Sequence, residues 1–155
     1  MFLRTLQLFT PRARLLLLLP ALTIVTGCGR YTRTKQCRAL IAQVNPGLDD
    51  VLTLTHGGES SDAGVLKSGA YVAAAGRYER LAKQLGPMEF ASEDMAKNVA
   101  EYASILSATA TSLRTLAEGL DANNPGEAER ANRELERNSG REHAVIARME
   151  AWCQP

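Results

Sequence analysis

The chain has 155 residues, 45% of them apolar, a length and balance that fit one domain burying a single core. Its formal net charge is +1. The balance is near neutral, with no basic patch to suggest nucleic-acid or anionic-lipid binding.

The first fourteen residues hold three arginines (Arg4, Arg12, Arg14) and no acid. An eleven-residue apolar run, Leu15 to Val25, follows. It is too short to span a bilayer, which needs roughly 20 apolar residues. A basic region, a short apolar core and then small residues make the layout of a secretory signal. The run ends in Val25-Thr26-Gly27-Cys28, which resembles the bacterial lipobox: an aliphatic residue, two small ones, then cysteine. The resemblance covers residues 1–28 alone. It implies that residues 1–27 are a cleaved signal peptide and that Cys28 carries diacylglycerol and further acyl chains such as palmitate. Several such chains hold a protein on a membrane where one is marginal. Gly29, rather than aspartate, after the lipidated cysteine favours the periplasmic face of the outer membrane over the inner membrane. The competing readings are an ordinary signal peptide with an incidental cysteine, or an uncleaved membrane helix.

Removing the signal leaves 15 basic and 17 acidic residues, a charge of about −2. With Cys28 assigned to lipid, Cys37 and Cys153 remain at opposite ends of the mature chain. In an oxidising compartment such a pair persists as a disulfide. It would close a loop of more than a hundred residues, on the order of 4–5 kcal/mol in the chain-entropy treatment.

Residues 28–34 read as a lipidated polar tether, and 35–155 as the folded domain. Apolar residues at Cys37, Ile41, Val44, Leu48, Val51 and Thr55 recur with gaps of 4-3-4-3-4, a helical stripe over about 32–55. Asn45-Pro46-Gly47 interrupts it without changing its phase. One kinked helix is expected, or two helices broken at Pro46. Residues 56–64 form a polar, glycine-rich loop. A second helix spans about 64–85, with Leu66, Ala70, Ala74, Tyr78, Leu81 and Leu85 on one face. Ala70, Ala73 and Ala74 leave room for a close neighbour.

The third helix begins at an Ser92 cap followed by Glu93 and Asp94. Its seam is Met95, Val99, Tyr102, Leu106, Thr109, Leu113, Leu116 and Leu120, an unbroken 4-3 repeat about 40 Å long. Residues 121–124 end it. Asn124-Pro125-Gly126-Glu127 then reads as a start signal. The fourth helix, about 125–153, offers Ala128, Ala131, Leu135, Val145, Ile146, Met149 and Trp152 to the core. Its remaining charges, mixed in sign, read as a solvated face. Asn138-Ser139-Gly140 predicts a weak point and a bend.

No segment alternates like a strand. Four helices with short connections predict an all-α, antiparallel up-down-up-down bundle. That topology places the start of the first helix beside the end of the fourth, bringing Cys37 to Cys153.

Chemical signatures are missing. The Glu-x-x-His pair of a di-iron bundle is absent, because Thr53 precedes His56 by three and Gly140 precedes His143. C-x-x-C-H for haem, a phosphate loop and a spaced Ser-His-Asp set are also absent. A surface or boundary position is expected for His143. Tyr78 and Tyr102 fall on inward faces, where their hydroxyls need partners. With Asn45 or Thr109 they could line a polar core site; ordinary core tyrosines are the simpler alternative. The expected function is non-enzymatic, without cofactor: a lipid-anchored module binding or scaffolding an envelope protein partner at a membrane surface. The alternative is a small-ligand binder for lipid, haem or metal in the inter-helix core.

Overall fold

A computed structural model describes the backbone of residues 12–56 and 68–154, and the side chains of residues 31–54 and 68–154. It has four helices: α1, Arg12–His56; α2, Ser68–Leu85; α3, Glu93–Asp121; α4, Pro125–Cys153. They pack as an all-α bundle, and no strand occurs among the described residues. The expected loop 56–64 and the first turn of the second helix, with Leu66, fall outside the described residues apart from the backbone of His56.

α3 is the spine. Met95, Val99, Tyr102, Ile105, Leu106, Ala110, Leu113 and Leu116 are buried along it, and it packs on both α2 and α4. The predicted seam holds except at its last position, where Leu120 is 42% exposed because α3 ends within a residue of it. The Ser92 hydroxyl accepts from the Met95 N–H at 3.3 Å, and the Asn124 side chain accepts from the Glu127 N–H at 3.3 Å. Both predicted N-caps are therefore real, each satisfying a donor the helix cannot.

The α3–α4 turn is tight. Asn123 takes a φ of 50°, and the Asn124 N–H reaches back to the Gly119 carbonyl at 2.7 Å. A Cβ at Gly119 would lie 2.9 Å from the Ala128 nitrogen, so the close approach of α3 and α4 requires glycine there.

α1 is continuous through Pro46, so the two-helix alternative does not hold. Gly47 explains the adjoining glycine: a Cβ there would lie 3.2 Å from the Leu81 side chain, where α1 settles on α2. The neighbouring Asp50–Arg77 ion pair, 2.8 Å, joins the same two helices. α1 also runs unbroken through residues 28–34. Arg33, two residues before the expected domain boundary, already bonds to α4.

Three local expectations change. On α2 the buried small residues are Ala74, Ala75 and Ala82, while Ala70 is half-buried and Ala73 exposed. On α4 the helix passes through Asn138-Ser139-Gly140, and Asn138 faces the core. On α1 the stripe is only partly covered: Cys37, Leu40 and Val51 are buried, Val44 and Leu48 half-buried, and Ile41 is 52% exposed. The cause is placement, since α1 lies mainly against α2 and meets α4 at only a few positions.

Candidate functional site

One end of the bundle is tied from three directions by consecutive turns of α1. Cys37 and Cys153 form a disulfide, their Cα atoms 5.8 Å apart and 116 residues apart in sequence. Gln36 clamps the α2–α3 connection, donating from Nε2 to the Glu89 carbonyl and accepting from the Ala91 N–H, each at 3.3 Å. Arg33 donates to the Trp152 and Gln154 carbonyls, and its guanidinium lies 5.4 Å from the centre of the Trp152 ring. α4 has no basic residue in its own last turn, so Arg33 supplies the cation its C-terminal carbonyls favour. The Cys28 side chain lies outside the described residues. Among those residues no helix is long and apolar enough to cross a membrane.

Beside this tie, the sparse α1–α4 seam leaves an apolar groove of about 310 Å3. Ile41, Val44 and Leu48 of α1 face Ile146 and Met149 of α4, and Tyr102 forms part of the wall. Asn45 and Glu150, both exposed, stand among the lining residues. The groove is open to solvent through Ile41 and Asn45.

Further along the bundle, a second cavity of about 230 Å3 is bordered by all four helices. Tyr71 and Tyr78 of α2, Thr109 of α3, and Leu135, Ser139 and Glu142 of α4 line it. Val51 of α1 completes the wall.

The expected polar site thus divides. Asn45 and Tyr102 belong to the groove, whereas Tyr78 and Thr109 belong to the four-helix cavity. Tyr102, fully buried, joins the two, because its hydroxyl donates to Glu142 Oε1 at 3.4 Å. Burial pushes the Tyr102 hydroxyl well above its ordinary range, and the nearby Glu142 carboxylate adds to that. Tyr78 is raised for the same two reasons, burial first.

Glu142 is the residue that periodicity missed. It reads as one of the many solvated charges of α4, yet it is half-buried between two helices that carry tyrosines. Burial raises its pKa, against lesser opposing effects of the Tyr102 hydroxyl and His143. The available signal was its place three residues before Val145, one turn along the buried face. His143 itself is exposed. Among the described residues no three His, Cys, Asp or Glu side chains cluster as a metal-holding group.

Comparison with protein-family models, curated proteins and solved structures finds no match for this chain.

Proposed function

We propose that this chain is a lipid-anchored, non-enzymatic envelope protein that docks a partner protein through the α1–α4 groove. Cys28 would hold it at the periplasmic face of a membrane, with Gly29 favouring the outer one. The observation that carries the docking is the uncovered apolar seam, with Ile41 half exposed over Val44, Leu48, Ile146 and Met149. Two antiparallel helices flanking an apolar slot suit an amphipathic helix laid along it, read by anchors at helical spacing. α1 meets α4 at few positions, so a further helix laid in this seam adds buried apolar area.

The anchor supports the geometry. Cleavage before Cys28 would leave nine helical residues, about 14 Å, between the lipid and the Cys37 staple. The tied end would then sit close to the membrane surface, and the groove with it.

A photoreactive residue at Ile41 in native membranes tests the docking. It is expected to crosslink to an envelope protein, while the same probe at Val72, exposed on α2, does not. No adduct from Ile41, or equal adducts from both positions, would remove the docking reading. The anchor is tested separately by mass spectrometry of the tryptic peptide Cys28-Gly29-Arg30, expected to begin the chain and to carry acyl chains. An unmodified Cys28, or a chain beginning elsewhere, would overturn it.

A further inference from the structure

The cavity bordered by all four helices carries a carboxylate in its wall, and the positive group acting on it is the neighbouring His143. Glu142 is half-buried, and among the described residues no lysine or arginine forms an ion pair with it. Its hydrogen bond from Tyr102 is long, at 3.4 Å. The adjacent His143 is exposed to solvent rather than turned into the cavity wall. A half-buried carboxylate with one long hydroxyl bond and no ion pair is incompletely compensated for the water it has lost, so the cavity favours a cation that fits it.

The walls select the kind of cation. A metal ion is best held by several charged or strongly donating groups, and the cavity offers one carboxylate, with only the neutral hydroxyls of Thr109, Ser139 and the tyrosines beside it, among aromatic rings, alanine, valine and leucine. An organic ammonium suits these walls. Its charge pairs with the carboxylate, its C–H groups rest on aromatic rings, and its apolar part meets Leu113 and Leu135. One carboxylate matches one positive charge, which excludes polyamines as the best fit. At about 30 Å3 for each water-sized group, 230 Å3 holds roughly eight non-hydrogen atoms.

We propose that this cavity binds a small organic monocation, an alkylammonium or methylated ammonium, with Glu142 as counter-charge and Tyr71 and Tyr78 as aromatic walls. The Tyr102 hydroxyl holds the carboxylate from the α3 side. Ser139, exposed at the cavity edge, marks the entrance. The proposal does not rest on docking at the α1–α4 groove: Glu142 and Ser139 are not among the groove's lining residues, so their variants are expected to leave crosslinking from Ile41 unchanged.

Binding strengthens as pH rises through the Glu142 titration, because the ionised form is the receptor. The titratable groups facing it are Tyr78 on α2 and Tyr102 on α3, both held neutral by burial, and His143 beside it on α4. α1 contributes only Val51 to the wall. A His143→Gln background therefore isolates the Glu142 titration.

The test is calorimetric titration of the full chain, in detergent micelles at pH 7, with n-butylammonium, tetramethylammonium and neutral n-butanol. The two cations are expected to bind saturably at one site, and n-butanol is not. Glu142→Gln, nearly isosteric, is expected to weaken the cations at least tenfold with an unchanged circular dichroism spectrum. Ser139→Leu, an exposed change that plugs the entrance and keeps the carboxylate, is expected to do the same and does not depend on Glu142→Gln folding. Equal binding of n-butanol, undiminished affinity in either variant, or no saturation by either cation would each overturn the proposal.

Discussion

Reducing the Cys37–Cys153 disulfide is the perturbation with the largest expected effect on this fold. The bond closes a loop spanning 116 residues of sequence, nearly the whole folded domain. Chain entropy for a loop of that length gives about 5 kcal/mol, and measured native disulfides fall at about 2–5 kcal/mol. The reduced chain keeps Arg33 and Gln36 in place, but these hydrogen bonds are exposed or part-buried and contribute about 1 kcal/mol each. They cannot replace the covalent tie. With urea slopes of about 1–3 kcal/mol/M, reduction is expected to lower the midpoint by about 2 M at the centre of both ranges, and by at least about 0.7 M. The loss also has a location. α1 rests on α2 and meets α4 at few positions, so its stapled end loosens first. Amides of residues 33–45 should lose hydrogen-exchange protection well before those of α3, whose seam is buried on two sides. The measurements are urea unfolding by circular dichroism with and without reductant, the Cys37→Ala/Cys153→Ala double variant, and exchange mass spectrometry. Coincident unfolding curves, with thiol titration confirming reduction, would refute the entropy argument. Loss of protection in α1 and α3 together would refute the local one.

Two alanine substitutions separate close approach from helix propensity. Gly119→Ala places a Cβ 2.9 Å from the Ala128 nitrogen, whereas Gly140→Ala meets nothing within 4 Å. Both gain about 1 kcal/mol of helix propensity, but only the first is overpacked by about 1–3 kcal/mol, so it should fall below Gly140→Ala by that amount in urea unfolding; equal shifts would contradict the close approach. Glu142→Gln removes a carboxylate whose folded pKa is raised by burial. Such a group loses stability as pH rises from its unfolded to its folded pKa, so the ligand-free variant should melt higher than wild type at pH 7, with the gap closing as pH falls through the ordinary carboxylate range. Arg33→Ala should lower stability by about 1–2 kcal/mol through loss of the C-terminal carbonyl bonds and the Trp152 contact, with a changed Trp152 fluorescence maximum. Arg33→Lys should recover less than half of that, because an ammonium lacks the planar fork.

Much of the bundle is written locally. The 4-3 repeat of α3, the Ser92 and Asn124 caps and the Pro125 start are properties of a few residues each, and the helices begin there. The cysteine pairing also followed from order alone, since an up-down-up-down path returns α4 to the start of α1. Gly119 and Gly47, by contrast, are ordinary helix-weakening glycines in sequence. Their use appears only when Ala128 and Leu81 are set against them.

The sequence by itself therefore determined the helices, their order and the tied end, because periodicity, capping and chain direction act within one element or follow from connectivity. How tightly each pair of helices closes was decided by the tertiary structure. α1 carries an apolar stripe legible in its sequence, yet it leans on α2 and leaves Ile41 uncovered above the groove. Glu142 is the sharper case. Its neighbours in sequence are charged and solvated, while its neighbours in space are Tyr102 and the lining of a cavity. Burial depends on distances between elements, which no single-helix pattern encodes. Both candidate sites of this protein lie at such junctions.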